Sequence, residues 1–200
     1  MIKNIILDFG DIFINLDKPA TIKKMQKFGF TEITPQLDYL FKEYEKGLIS
    51  SDEFIVAIKK IFPKASKKNL IDAWNAILLD FPDYRLTYLE DLARSKKYRL
   101  FLLSNTNDIH INFVKKQMKE NRYKRFKNCF EKFYFSYEIK MRKPDTDIFE
   151  FVLRENNLFP QETLFVDDTK ENTDTATQLG IQTWNLIVGK EDITTLKTKL

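Results

Sequence analysis

Three apolar runs constrain the fold more than any other feature of this chain: Ile5-Ile6-Leu7, Leu100-Phe101-Leu102-Leu103 and Leu164-Phe165-Val166. None shows the polar alternation of a half-exposed strand, so each suits a central parallel strand covered on both faces. Each ends abruptly in polar residues: Asp8, then Ser104-Asn105, then Asp167-Asp168. In open α/β sheets, ligands and reactive groups gather just beyond the carboxyl ends of such strands. One ending alone says little, because Asp and Asn also make turns. Asp167-Asp168 equally suits the start of a helix, where the dipole favours acids.

Between the first and second runs the sequence reads as helix after helix. After Asp11, Ile12 to Asp17 forms a brief extended piece leading away from the first strand. Leu37, Leu40, Phe41 and Tyr44 recur at helical spacing, with Gly47 as the stop. Ser50 and Glu53 make a capping-box pattern that opens a helix burying Phe54, Ile58 and Ile61, closed at Pro63. Leu70, Trp74, Ile77 and Leu78 mark another amphipathic helix before Pro82. From about residue 84 helices and strands alternate: a helix through Leu86, Leu89 and Ala93, the second strand, and a helix over 107–119. Then follow a strand at Phe133-Tyr134-Phe135, a helix through Ile148, Phe149 and Val152, the Thr163–Val166 strand, a helix ending at Gly180, and a last strand from Gln182 to Val188. This spacing implies βαβ units and a parallel sheet. The expected fold class is α/β, with residues 1–15 and 84–200 forming the core and residues 16–83 a helical subdomain set beside it.

Composition narrows the function classes. The formal charge of +4 comes from scattered lysines and arginines, and the densest basic stretch, Lys115 to Lys127, reads as a solvated helix face and loop, so nucleic acid is not an expected partner. No apolar run approaches membrane-spanning length, and no membrane partner is expected. Cys129 is the single cysteine, so no intrachain disulfide forms. With a first strand starting at once, the expected location is the cytoplasm.

Taken together, Asp8, Ser104-Asn105, Asp167-Asp168 and the loop residue Lys143 form a chemically complementary set. A carboxylate can act as nucleophile, and further carboxylates can hold a hard cation such as Mg²⁺. A hydroxyl, backbone N–H groups and an ammonium can surround a phosphoryl group as charge moves onto its oxygens. The order Asp8, Ser104-Asn105, Lys143-Pro144, Asp167-Asp168, with Asn172 following, resembles the haloacid dehalogenase-like (HAD) hydrolase superfamily. Asp8-Phe9-Gly10-Asp11, Tyr44 to Ser50, Leu103 to Asn107 and Met141 to Pro144 are similar to its bacterial sugar-phosphatase, glucose-1-phosphate phosphatase-like branch.

The resemblance implies a Rossmann-like parallel-sheet core with an inserted helical cap that excludes water and selects substrate. It implies a phosphatase acting on small phosphorylated metabolites, sugar phosphates above all. Asp8 would attack phosphorus, Ser104 and the Asn105 backbone would hold the phosphoryl oxygens, and Lys143 would bridge nucleophile and phosphate. Asp8, the Gly10 carbonyl oxygen and Asp168 would bind Mg²⁺, with Asp167 acting through water. One departure stands out. Most phosphatases of the superfamily carry a general acid two residues after the nucleophile, where this chain has Gly10. Asp11 is displaced by one position and is either a replacement acid or a turn-capping carboxylate. Two other readings are a 2-haloacid dehalogenase, which needs neither that acid nor a metal, and a weakly active binding or regulatory protein.

Overall fold

The computed structural model describes all residues, 1–200. Its strands are β1 (Asn4–Leu7), β2 (Arg99–Ser104), β3 (Lys132–Phe135), β4 (Thr163–Asp167) and β5 (Gln182–Asn185). The helices are α1 (Ala20–Gln26), α2 (Pro35–Glu45), α3 (Ser51–Ile61), α4 (Lys67–Trp74), α5 (Asp83–Arg94), α6 (Asp108–Lys127), α7 (Ser136–Ile139), α8 (Thr146–Asn156) and α9 (Lys170–Gln178). The five strands form one parallel sheet in the order β3-β2-β1-β4-β5, so the expected α/β class is borne out.

The unalternating strands work as the sequence suggests. Ile5 and Leu7 point to one face with Leu100, Leu102, Leu164 and Val166, packing beneath α5 and α6. Ile6 points to the other with Phe101, Leu103 and Phe165, packing against α8 and α9. Both sets are completely or almost completely buried, and period-two alternation between two covered faces removes any polar signature. β1 sits between β2 and β4, with Leu7 opposite both Leu102 and Val166. That register brings Asp8 and Asp167 to adjoining strand ends.

Helices α1–α4 pack around an apolar cluster of their own, with Met25, Leu37, Phe54, Ile58 and Leu70 at its centre. The Ser50–Glu53 capping box forms: Ser50 Oγ accepts from the Glu53 N–H at 3.3 Å and Glu53 Oε2 accepts from the Ser50 N–H at 2.7 Å. Several local expectations are corrected. Residues 12–17 form tight turns with isolated bridges rather than an extended piece, because Ile14 pairs back with Gly10 and Leu16 with Leu78. The helix read through Leu78 stops at Trp74, and Asn75–Ile77 continues as a 3₁₀ turn. The helix read as 107–119 reaches Lys127, with non-helical torsions at Lys119 marking a kink. The stretch beyond it is therefore helix rather than loop, and Phe126 is buried in the core. β5 ends at Asn185, three residues early, its last ladder bond to β4 running from the Leu186 N–H to the Asp167 carbonyl. No helix is long and apolar enough to cross a membrane.

Candidate active site

The centre of the site is a buried ammonium. Lys143 Nζ lies 2.7 Å from Asp8 Oδ1, 2.6 Å from Asp167 Oδ2 and 2.8 Å from the Leu103 carbonyl. Its side chain is only 1% exposed, so each of its three donors is spent on protein oxygen. Burial works against the charge on Lys143, yet Asp167 and Asp8 outweigh it and hold its pKa above the usual lysine range. For Asp8 burial wins: it pushes the carboxyl well above its ordinary range despite the opposing pull of Lys143. Asn105 fixes the Lys143 backbone from both sides, donating from Nδ2 to the Lys143 carbonyl at 2.7 Å and accepting the Lys143 N–H on Oδ1 at 2.9 Å. Its side chain is thus committed to positioning Lys143.

Asp167 is saturated. Oδ1 accepts from the Thr169 N–H at 2.8 Å and from Asn172 Nδ2 at 3.1 Å, while Oδ2 accepts from Asn172 and Lys143. Asp168 makes a single side-chain contact, a 2.5 Å pair from its Oδ2 to Lys18. Burial raises the Asp168 pKa, with Lys18 opposing. Ser104 is buried at the end of β2, lines the cleft, and spends its hydroxyl on no protein partner. Asp11 lies in the left-handed region at φ 53°, which Asp tolerates better than most residues. Its Oδ1 accepts the Leu16 N–H at 3.0 Å and its Oδ2 pairs with Lys18 at 3.2 Å. Asp11 is not among the residues lining the cleft.

Oxygens of Asp8, Asp167 and Asp168 all lie within 4.8 Å of one another. Counting Asp11, four carboxylates meet only two ammoniums, Lys18 and Lys143. The imbalance equals the charge of one divalent cation, and an all-oxygen donor set suits Mg²⁺. Because Asp167 has no oxygen to spare, Asp8 and Asp168 are the carboxylates open to a metal. Around this cluster the cleft encloses about 600 Å³ between the sheet ends and the α1–α4 insert.

The sequence profile of the haloacid dehalogenase-like hydrolases matches residues 38–186. The chain belongs to that family. It is 30% identical over 190 residues to a D-ribitol-5-phosphate phosphatase of Bacteroides thetaiotaomicron, a match covering 92% of this chain and 91% of the relative. Among solved structures it is similar to a HAD family enzyme from Bacteroides thetaiotaomicron in complex with magnesium and inorganic phosphate. Identity is 40%, the TM-score 0.84, and coverage 96% of this chain and 97% of the other. A HAD-like hydrolase from Porphyromonas gingivalis matches at 30% identity and TM-score 0.84, over 100% of this chain and 98% of the other.

Within this haloacid dehalogenase-like hydrolase, the structure gathers Asp8, Gly10, Ser104, Asn105, Lys143, Asp167 and Asp168 on one cleft, and Asp11 reaches it through Lys18 rather than lining it. The sequence reading missed Lys18, whose partner Asp168 lies 150 residues away. It also missed the side-chain clamp of Asn105. Neither carries a local signal.

Proposed function

We propose that this hydrolase is a Mg²⁺-dependent phosphatase that cleaves small polyhydroxylated phosphate esters through an aspartyl-phosphate on Asp8. The observation that carries the reading is the Lys143 ammonium held between Asp8 and Asp167 beside an uncommitted Ser104 hydroxyl. The phosphatase activity of a 30% identical relative, and the magnesium and phosphate held by a 40% identical structure, support it.

In the first half-reaction an Asp8 carboxylate oxygen attacks phosphorus in line as the P–O ester bond breaks, and the leaving oxygen takes its proton from water to depart as the alcohol. In the second, water attacks the phosphorus of the acyl phosphate and returns the carboxylate. Lys143 neutralises charge on Asp8 and on the incoming phosphoryl group, while Asn105 keeps it from drifting. Ser104 Oγ and the Asn105 backbone would donate to phosphoryl oxygens. Asp8, the Gly10 carbonyl and Asp168 would hold Mg²⁺, which supplies charge neutralisation for the phosphoryl oxygens when bound. Residues 16–83 would form the cap that shields the acyl phosphate from bulk water. Halide displacement has no use for the Asp167–Asp168 pair, so the cluster favours phosphoryl transfer over dehalogenation.

The test is hydrolysis of ribitol 5-phosphate, glucose 1-phosphate, glucose 6-phosphate and acetyl phosphate, with Mg²⁺ and with excess chelator. Turnover is expected only with Mg²⁺, and folded Asp8→Asn is expected to lose at least about 10³-fold in rate. Full activity in chelator, or an active Asp8→Asn, overturns the reading.

A further inference from the structure

Arg142 immediately precedes the central lysine, lines the cleft, and is only 18% exposed. Its guanidinium is gripped along one edge by Glu45, at the end of α2: Nε and Nη2 donate to Glu45 Oε2 at 3.2 and 3.1 Å. Glu45 is itself anchored to the core, because its carbonyl accepts from Ser136 Oγ at 2.6 Å. The Nη1 amino group makes no hydrogen bond within the protein. A guanidinium fixed on one edge presents its remaining donors in a set direction, at little further entropic cost.

What those donors meet follows from the rest of the cleft. Lys42 is paired with Asp38 at 2.7 Å and Lys46 with Asp145 at 3.3 Å. Arg142 is neutralised by Glu45, whereas Glu171 lines the cleft with no ion-pair partner. Beyond the phosphate position, therefore, the cations at the cleft each already face a carboxylate, Lys18 through Asp168 and Asp11 included. There is no apolar wall for a base or an aromatic ring, since Leu16 is the single large apolar side chain lining the cleft. Paired ions with spare donors and acceptors match neutral hydroxyl groups.

We infer that Arg142, positioned across the cap–core boundary by Glu45, is a specificity-determining residue that donates from Nη1 to a hydroxyl of an uncharged polyhydroxylated chain carrying the phosphate. The inference rests on the phosphatase reading. Glu45 acts through Arg142 and is a positioning residue.

The experiment compares kcat/KM for ribitol 5-phosphate with that for acetyl phosphate, which has no hydroxyl to read, in wild type, Arg142→Met and Glu45→Gln. The ratio of the two values is expected to fall roughly 10- to 100-fold in Arg142→Met, chiefly through KM for ribitol 5-phosphate, and less in Glu45→Gln. In an Asp8→Asn background, calorimetry should show Arg142→Met weakening ribitol 5-phosphate binding more than that of inorganic phosphate. A ratio unchanged in Arg142→Met, whether both substrates fall together or neither falls, overturns the assignment and leaves Arg142 as a structural tie. A wild type that hydrolyses neither compound overturns the phosphatase reading and this inference with it.

Discussion

At the scale of single residues, the missing acid at Gly10 and the displaced Asp11 pose the sharpest question. The structure commits both Asp11 oxygens, one to the Leu16 N–H and one to Lys18. We propose that a carboxylate so occupied shapes the turn that carries Gly10 and gives the leaving oxygen no proton. The rate should then depend steeply on leaving-group acidity. Across aryl phosphates of graded acidity, the slope of log(kcat/KM) against leaving-group pKa is expected to be steep in wild type and equally steep in Asp11→Asn. A slope that is shallow in wild type and steepens in Asp11→Asn would make Asp11 the proton donor. Gly10 offers a converse probe. A Cβ there would lie 3.7 Å from Asp8 Oδ2, and its tight contact is the Leu16 Cδ1 methyl at 2.9 Å, the mobile tip of a side chain. Gly10→Asp is thus sterically accessible and should flatten the same slope.

At the scale of elements, the central strands were readable because burial on both faces leaves no polar residue inside Ile5–Leu7 or Leu164–Val166. The polar endings were readable for the same reason, since they break an otherwise unbroken apolar run. What local pattern does not encode is long-range pairing. β5 keeps its pairing with β4 only as far as Asn185, opposite Asp167, although its apolar residues run on to Val188, and the kink at Lys119 has no glycine or proline to announce it. Gly47 shows how far a local reading goes: it stands at the end of α2 as a stop, but its structural role is close approach to the core. At φ +60° an added Cβ would lie 2.2 Å from the Tyr137 carbonyl oxygen. Lys140 also donates to the Gly47 carbonyl, pinning the same turn. Gly29 has φ +98° but open space around it, so it separates torsional strain from steric clash. Gly29→Ala should cost about 1–2 kcal/mol. Gly47→Ala should cost at least about 2 kcal/mol more, because backbone atoms must move. Urea unfolding of both variants measures the difference, and equal costs would show that the turn is not held against the core.

At the scale of the whole molecule, the insert is fastened to the core at a second place, around the single histidine. Trp74, at the end of α4, donates from Nε1 to Asn107 Oδ1 at 3.2 Å. His110, on α6, stacks on the Trp74 ring at 5.3 Å and 22°, and its Nε2 lies 3.0 Å from the Trp74 carbonyl. That carbonyl can only accept, so Nε2 carries the proton. Asn107 Oδ1 already accepts from Trp74 and from the His110 N–H, which leaves Asn107 Nδ2 as the donor to His110 Nδ1 at 3.2 Å. The joint therefore requires neutral imidazole, and protonation would set a donor against a donor. Burial, only partly offset by the Trp74 carbonyl, pushes the His110 pKa down to about 4 from an ordinary 6.5. The unfolded chain then binds the proton more readily than the folded one throughout that window. Stability contributed by His110 is complete above about pH 6.5 and is lost as pH falls toward 4. Carboxylates of the active site also titrate, but they are common to wild type and a His110→Gln variant, so the comparison isolates the histidine. Between pH 7 and pH 5, wild type is expected to lose about 1–2 kcal/mol more unfolding free energy than His110→Gln. Urea midpoints at the two pH values, followed by tryptophan fluorescence, check it. Identical losses in the two proteins would mean that His110 protonates without opening the joint, and the insert would then owe its seating to the Gly47 turn and the Arg142–Glu45 pair.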